Sequence, residues 1–306
     1  MKIITEISVP VDIRKPVITI GTFDGLHLGH RVILDEVKRL AAETGSDSAV
    51  VTFNPHPRIV LGQDVQLLNT REEKRQVIER MGITHLIEIP FTVRFSDLEA
   101  KEFISLLAWL LNPSYIIIGY DHGFGRNRSG DIRQLEEAGK VHGFKVVNVD
   151  AIVQKDSSKI SSSYIRNLLL AGSVKEAGDL LGQPYSLTGT VIRGNQIGKR
   201  LGYPTANLYL EDPHKLIPMM GVYASRVIYN RREYKGMTNI GIRPTINTHQ
   251  LTIETNIFDF DQDIYYEKIT VEMIARIRDE KKFDSLDVLK EQLRQDKEDS
   301  LRILEG

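Results

Sequence analysis

Two histidines three residues apart, His27 and His30, follow a short apolar run and a glycine-containing turn in the stretch VITIGTFDGLHLGH. A glycine turn at a helix start lets backbone N–H groups approach an anion, and the helix dipole adds partial positive charge there. If the helix begins at this turn, both imidazoles lie on one face and can donate hydrogen bonds to a phosphate in a charge-rich transition state. The stretch therefore predicts phosphate chemistry.

Two other interpretations fit this histidine pair taken alone. Zinc binding needs a third ligand, and neither such a ligand nor the HExxH spacing stands out. One histidine could instead cap the helix while the other packs in the core. Phosphate chemistry is favoured because Arg58, Arg166 and the serines 161–163 recur at matching places in the predicted fold.

A second group of candidate residues lies in the C-terminal part of the chain. Thr205 and Asn207 supply a hydroxyl and an amide oxygen, hard donors that suit magnesium or phosphate oxygens. Gly198 permits close backbone approach to a ligand, and Lys199 can neutralise negative charge. The run Gly194 to Arg200 imitates a P-loop, but it is one residue short between its glycines and ends in arginine instead of serine or threonine.

Glu254 lies in a segment in which apolar and polar residues alternate. Leu251, Ile253 and Ile257 share one face of the predicted strand, whereas Thr252, Glu254 and Asn256 share the other. A solvated glutamate on a strand would show the same pattern, so alternation alone leaves the role of Glu254 open.

The residues of the first candidate site must be positioned by the elements that precede Gly182. In this part of the chain, apolar segments of strand length alternate with amphipathic segments of helix length. The strand candidates are Val17 to Ile20, Ala49 to Phe53, Leu86 to Ile89, Tyr115 to Ile118 and Lys145 to Val149. Helices are expected from His30 to Ala42, from Glu99 to Leu110 and from the serines 161–163 to Ala171. This pattern predicts an α/β domain with a Rossmann-like parallel sheet covered by helices.

Polar clusters follow several of these strands. They are Gly21 to His30, Asn54 to Arg58 and Gly119 to Gly125, and a further cluster, Ser161 to Ser163 with Arg166, opens a helix. Because ligands bind outside the carboxyl ends of parallel strands, we expect these segments to line a single pocket.

Beyond Gly182 the pattern changes to strands at short intervals. The candidates are Thr188 to Arg193, Val222 to Tyr229, Glu233 to Ile240, Leu251 to Phe258 and Lys268 to Ile277. Asn230-Arg231 suits a tight hairpin turn, and the segment from Leu286 to Leu304 is helical in pattern. We therefore predict two domains, 1–182 and 183–306, the second an antiparallel β-barrel with a terminal helix.

Bulk properties limit the classes of function. The 306 residues carry a formal net charge of −1 and no cysteine, which excludes disulfides, thiolate metal sites and a cysteine nucleophile. No signal peptide or membrane-spanning run is expected, so we predict a soluble cytoplasmic protein without nucleic-acid or membrane partners. The oligomeric state is left open.

Both groups of motifs resemble one protein family. GTFDGLHLGH, TFNPHPR (52–58) and ISSSYIR (160–166) resemble the nucleotidyltransferase domain of bacterial bifunctional FAD synthetases. GKRLGYPTANL (198–208) resembles the riboflavin kinase signature, and GVY, NIGIRPT, IETNIFDF and KKFDSLDVLKEQLRQD follow in the family's order. The resemblance covers nearly the whole chain and implies a riboflavin kinase-like barrel after the nucleotidyltransferase domain.

The resemblance also implies roles for individual residues. His27 and His30 would stabilise the α-phosphate of ATP as FMN attacks it, and Glu254 would accept the proton of the ribityl 5′-hydroxyl. The implied nucleotide-binding residues are Gly21, Phe23, Asp24, Gly29, Asp121, Ser161, Ser162, Arg166, Gly198 and Lys199. The implied flavin-binding residues are Asn54, His56, Pro57 and Arg58, and the implied magnesium ligands are Thr205 and Asn207.

The implied activity has two steps: riboflavin and ATP give FMN, then FMN and ATP give FAD and pyrophosphate, both steps with Mg²⁺. Two positions depart from the family pattern, His122 in GYDHGFG and Ser163 in the serine motif. His122 leaves a riboflavin kinase with weak or absent adenylyltransferase activity as one alternative. A non-catalytic flavin-binding regulator is the other.

Overall fold

The computed structural model describes residues 1–119, 123–126, 130–150, 160–194, 197–244 and 249–306. It divides into two compact units, Met1–Ser161 and Ser162–Gly306. The composition change that we used to place a domain boundary lies about twenty residues further on, at Gly182. The difference arises because helix α8 (Val174–Leu181) packs on barrel strands β7 (Tyr185–Ile192) and β12 (Lys268–Arg278).

The first unit is built on six parallel strands. They are β1 (Lys2–Ile4), β2 (Val17–Ile20), β3 (Ser48–Asn54), β4 (His85–Pro90), β5 (Tyr115–Gly119) and β6 (Lys145–Val149). Its helices are α1 (Leu28–Thr44), α2 (Pro57–Val60), α3 (Arg71–Arg80), α4 (Val93–Ser96), α5 (Ala100–Leu111) and α6 (Ile132–His142). All five strands predicted from the sequence are present, and β1 is an additional short edge strand.

The sheet buries an apolar layer on each face because side chains alternate along every strand. Ile18, Ile20 and Val51 belong to one layer, while Val17 and Val50 belong to the other. The strand order is β1-β4-β3-β2-β5-β6, so the chain leaves β2 first toward β3 and later toward β5. The carboxyl end of β2 is therefore the place where the order reverses and where open α/β sheets bind ligands.

The second unit is a closed barrel with helices at both ends of its sequence. Its strands are β7, β8 (Ala206–Tyr209), β9 (Gly221–Tyr229), β10 (Arg232–Pro244), β11 (His249–Ile257) and β12, joined in the order β10-β11-β8-β7-β12-β9. Its helices are α7 (Ser162–Leu170), α8, α9 (Ile197–Arg200) and α10 (Leu286–Glu305). All barrel pairings are antiparallel, as predicted.

Local sequence explains two features of the barrel. Asn230 and Arg231 both adopt left-handed φ values, 49° and 62°, which a two-residue turn between twisted strands requires. Ser285 caps α10 by accepting a hydrogen bond from the backbone N–H of Val288. Within the described ranges, no helix combines the length and the apolar character that crossing a bilayer needs.

Candidate active sites

The turn after β2 carries the first candidate site. Phe23, Gly25 and Leu26 take left-handed φ values of 47°, 86° and 45°. For Phe23 and Leu26 this conformation costs on the order of 1–3 kcal/mol each, so surrounding contacts must hold it. Gly21 at the base of the turn donates its backbone N–H to Val51 O at 3.0 Å, which ties the turn to β3.

The turn delivers His27 to the N-cap position of α1. Its carbonyl oxygen accepts hydrogen bonds from the backbone N–H groups of His30 and Arg31, at 2.8 and 3.1 Å. The His27 and His30 rings are stacked, with centroids 3.8 Å apart, and Phe23 meets His30 edge-on at 5.3 Å. The structure thus brings together the two imidazoles that the spacing predicts on one face, beside the positive end of a helix dipole.

Gly29 is needed for this stacking. A Cβ atom at this position would lie 3.1 Å from His27 Nδ1, tighter than an ordinary contact. Any larger residue at position 29 would therefore displace the His27 ring.

The environment of His30 favours its neutral form. Burial lowers the pKa of His30 well below its usual value, and electrostatic interactions with His27 and Lys74 lower it further. Its Nδ1 is buried and has no hydrogen-bond partner among the described residues, although the residue as a whole is partly exposed. The uncharged imidazole that this environment favours can donate one hydrogen bond to a ligand.

Helix α3, which the sequence pattern did not predict, supports this turn. Its N-terminus carries a capping box in which Thr70 and Glu73 bond each other's backbone, and that pattern was the available signal. Lys74 on α3 donates from Nζ to Thr22 O at 2.6 Å. The backbone just before α3 contacts Asp24, one of the predicted nucleotide-binding residues, which is 3 % exposed.

The predicted flavin-binding residues follow β3 at the same edge of the sheet. Asn54 ends β3 and precedes a cis peptide bond to Pro55. His56 caps α2 and accepts the Arg58 backbone N–H on Nδ1 at 3.2 Å, and Pro57 occupies the first turn of that helix. Because β2 and β3 are parallel neighbours, these residues and the histidine turn leave the sheet side by side.

An aromatic cluster that sequence reasoning did not single out lies next to Asn54. Phe53 contacts Phe91, Phe95 and Phe103, with ring centroids 5.6, 6.0 and 6.3 Å away. The Phe91 backbone N–H also donates to Asn54 O at 3.2 Å. The cluster gives this end of the sheet an apolar surface suited to a planar ring.

The remaining residues of the predicted nucleotide site lie outside the histidine turn in the sequence. Asp121 and His122 lie outside the described residues. Ser161 ends the first compact unit, whereas Ser162 and Arg166 belong to α7 of the second, where their i, i+4 spacing puts them on one helix face.

The second candidate site is a cavity of about 290 Å³ in the barrel unit. Its polar lining includes Thr205, Asn239, Glu254, Asn256 and Glu280, and its apolar lining includes Leu201, Val222, Met237, Phe283, Leu289 and Leu293. Such a mixture of an apolar wall with a few polar groups is typical of small-molecule sites.

Two predicted side chains, Thr205 and Glu254, meet at this cavity, and the predicted Asn207 is paired with Glu254 in the barrel. The Thr205 hydroxyl donates to Glu254 Oε2 at 3.4 Å, and Thr252 donates to Glu254 Oε1 at 3.5 Å. Asn207 on β8 is the cross-strand partner of Glu254 on β11 and is 8 % exposed. Directly paired residues of neighbouring strands project to the same face of the sheet, so the Asn207 amide lies on the face that carries Glu254. Hydroxyl, amide and carboxylate oxygens are donors that Mg²⁺ prefers.

Two glycines let the backbone approach these groups. A Cβ at Gly194 would collide with the Asn207 amide, and one at Gly198 would collide with the Tyr203 carbonyl oxygen. Gly198 also lines the cavity. The side chain of Lys199 lies outside the described part of the chain.

The opposite wall of the cavity is fixed by an ion pair that the sequence did not reveal. Arg278 on β12 bonds both oxygens of Asp296 on α10, at 2.8 and 2.6 Å, and Gln292 adds a hydrogen bond at 2.9 Å. Asp296 is 1 % exposed, and Phe283 lies under the Arg278 guanidinium at 5.7 Å. This pair holds α10 against the barrel.

In the described part of the chain, no cluster of three or more His, Asp or Glu side chains forms a metal site. The zinc alternative for the histidine pair therefore gains no third ligand of these types within those ranges. The magnesium hypothesis differs because it uses hydroxyl and amide oxygens.

Comparisons with known proteins match the N-terminal and C-terminal parts of the chain to two different family models. The family model FAD synthetase matches residues 10–164, and the family model riboflavin kinase matches residues 181–304. A bifunctional riboflavin kinase/FMN adenylyltransferase of Bacillus subtilis is 38% identical over 296 residues, which cover 94% of this chain and 92% of the relative. The Escherichia coli protein of the same name is 34% identical, covering 92% of this chain and 90% of the relative.

A solved structure shares the whole fold. A Streptococcus pneumoniae protein named macrolide-efflux protein superposes with a TM-score of 0.88 at 33% identity, covering 97% of this chain and 98% of that one.

Proposed function

Because the chain belongs to the family of bifunctional riboflavin kinase/FMN adenylyltransferases, we propose which of its residues carry each reaction. The enzyme makes FAD from riboflavin by way of FMN, with ATP as co-substrate. Phosphoryl transfer occurs in the barrel unit and adenylyl transfer at the turn after β2. The His27–His30 stack and the Glu254 carboxylate lie in different compact units, and this separation carries the proposal.

In adenylyl transfer, the phosphate of FMN attacks the α-phosphorus of ATP and pyrophosphate leaves. His27 and His30 donate hydrogen bonds to the α-phosphate oxygens, where negative charge builds up. The N-terminus of α1 adds backbone N–H groups and its dipole. A neutral His30 suits this role, since burial and electrostatic interactions with neighbouring residues favour its uncharged form before ATP binds.

The remaining residues proposed for adenylyl transfer position its two substrates. Ser162 and Arg166 bind the outer phosphates of ATP, a role that is supported by the serine motif. Asn54 and Arg58 bind FMN, and the neighbouring aromatic cluster at Phe53 offers its flavin ring an apolar surface.

In the kinase step, Glu254 takes the proton from the ribityl 5′-hydroxyl as its oxygen attacks the γ-phosphorus of ATP, and ADP leaves. General-base assistance of this kind contributes about 10²–10⁴-fold to a rate. Thr205 holds the carboxylate in place, because its hydroxyl donates to Glu254. The apolar wall with Met237 and Phe283 suits the flavin ring.

The donors near Glu254 also fit a magnesium ion. Thr205 and Asn207 would hold it, together with oxygen donors from ATP and water. When bound, Mg²⁺ neutralises charge on the transferring phosphates. We place both reactions in the cytoplasm, the compartment in which ATP is generally available.

The test is a pair of single substitutions assayed with riboflavin, ATP and Mg²⁺, followed by chromatographic separation of the flavins. His30→Ala should accumulate FMN without FAD. Glu254→Gln should leave riboflavin unreacted and still convert added FMN to FAD. Loss of both reactions in either folded variant would contradict the assignment.

A further inference from the structure

We infer that Lys74 is a positioning residue for adenylyl transfer: with Asp24 it clamps helix α3 to the strained turn and so holds Phe23 and His30 where ATP is bound. This inference rests on the proposed role of His30.

The first arm of the clamp is Asp24. Its Oδ1 accepts the backbone N–H groups of Leu68 and Asn69, at 2.9 and 3.3 Å. Those two residues immediately precede Thr70, which caps α3. The carboxylate thereby fixes the start of α3 relative to the turn, across more than forty residues of sequence.

The second arm is Lys74 itself, one turn into α3. Its Nζ donates to Thr22 O at 2.6 Å, and Thr52 on β3 donates to the same oxygen at 3.4 Å. Lys74 is only 9 % exposed, and a lysine is rarely so buried without partners. The ammonium group therefore sits on the backbone directly before Phe23.

Nearby carboxylates oppose the effect of burial on the Lys74 ammonium group. Burial lowers the pKa of Lys74, while Asp24 and Glu88 oppose that shift. Glu88 on β4 is 3 % exposed and bonds Arg75 and Arg71 through short contacts of 2.5 to 2.9 Å. This network anchors α3 to the sheet and fixes the site from which Lys74 reaches the turn.

The turn needs a clamp because it is strained. Two of its non-glycine residues, Phe23 and Leu26, have left-handed backbone conformations. Such conformations persist only where the surroundings over-determine them. Phe23 packs edge-on against the His30 ring, so a relaxed turn would release one wall of the histidine pair.

Lys74 also acts on His30 through its charge. The pKa of His30 is lowered by burial first, then by His27 and then by Lys74. Removing the Lys74 cation should therefore raise the pKa of His30, even if the fold is unchanged. A residue that merely stabilised the fold would leave that pKa where it is.

The experiment compares Lys74→Met, which removes the charge and the donor, with Lys74→Arg, which keeps both. Lys101→Met is the matched control, since Lys101 is an exposed lysine on α5. For each full-length variant, kcat and KM for adenylyl transfer are measured, with the riboflavin kinase rate as an internal control. The His30 pKa is followed by NMR on histidine-labelled protein, with the resonance assigned from His30→Gln.

We expect kcat for adenylyl transfer to fall at least about tenfold in Lys74→Met, because the reacting groups lose their geometry. The kinase rate and Lys101→Met should stay within about twofold of wild type, a change too small to signal lost positioning. The His30 pKa should rise in Lys74→Met and remain low in Lys74→Arg, which should recover most of the lost rate. If Lys74→Met does not fold, Lys74→Gln replaces it, since it removes the charge and keeps an N–H donor.

An unchanged adenylyl-transfer rate and an unchanged His30 pKa in the folded Lys74 variant would overturn the inference. A lower rate with an unchanged pKa and no recovery in Lys74→Arg would also overturn it, since that result indicates a structural role alone. Full activity of His30→Ala would instead refute the proposed role of His30, which separates the two failures.

Discussion

Replacing Gly194 by alanine should impair the kinase reaction through a single displaced side chain. A Cβ at position 194 would lie 2.5 Å from Asn207 Cγ and 2.6 Å from its Oδ1. Asn207 is 8 % exposed, and its amide is one of the two proposed magnesium ligands. The new methyl group and the amide cannot share this space.

The size of the effect follows from these distances. Non-bonded carbon atoms pack at about 3.5–4.0 Å, so the amide must retreat by at least about 1 Å. A misplacement of about 1 Å in a reacting assembly can cost about 10²-fold in rate. We therefore expect kcat/KM for riboflavin phosphorylation to fall by about two orders of magnitude, with weaker dependence on added Mg²⁺.

The assay measures FMN formation from riboflavin over a range of Mg²⁺ concentrations, with FMN adenylylation as the control reaction. Gly178→Ala on α8 is the matched variant, because a Cβ there meets neighbours at no less than 3.5 Å. It should phosphorylate riboflavin normally. Wild-type kinase activity in folded Gly194→Ala would refute the claim that Asn207 must occupy its place.

Three further substitutions or conditions test other parts of the structure. Asp296→Asn leaves the Arg278 guanidinium without its buried carboxylate, so the unfolding free energy measured by urea denaturation should fall by about 3–5 kcal/mol. A change below about 1 kcal/mol is typical of an exposed pair and would contradict a buried one. Gly29→Ala should shift the His27 ring by a few tenths of an ångström and reduce FAD formation several-fold, and an unchanged rate would speak against the tight stacking. The folded-state pKa of His30 lies below its unfolded value, so the unfolded chain takes up a proton first as pH falls below about 6.5. The unfolding free energy should therefore drop by up to about 1.4 kcal/mol per pH unit relative to His30→Gln. Equal pH dependence of the two proteins in urea denaturation would contradict this sign.

Much of the fold could be predicted because its central strands are continuous apolar runs. Val17–Ile20 and Lys145–Val149 have the predicted bounds, and the other predicted strands differ by a few residues at their ends. Strands β1 and β8 have three and four residues, too few for a periodic signal, and they exist because β4, β7 and β11 offer them partners.

Helices were predicted where their apolar stripe is long. α1 and α5 extend only one or two residues beyond most predicted ends, whereas α3 was missed. Only Val77 and Ile78 of α3 are buried apolar residues, so its stripe is too short to be recognised without the capping box at Thr70. Because α3 was not predicted, Lys74 was not recognised as a residue that supports the site.

The site was predictable where its residues are neighbours in sequence. Helical spacing alone predicts that His27 and His30 lie together, and strand alternation predicts the polar face of Glu254. The contacts of Lys74 with Thr22 and of Arg278 with Asp296 join residues far apart in sequence or on different elements. Such contacts depend on the tertiary fold, which local patterns do not encode.

The central claim is that the two reactions use separate residues, and a mixing experiment tests it most directly. His30→Ala and Glu254→Gln are each incubated alone, and then in equal amounts together, with riboflavin, ATP and Mg²⁺, and FAD is measured chromatographically. We predict no FAD from either variant alone and FAD from the mixture, because one variant supplies FMN and the other adenylylates it. Absence of FAD from a mixture of two folded variants, even when FMN is added, would contradict the claim.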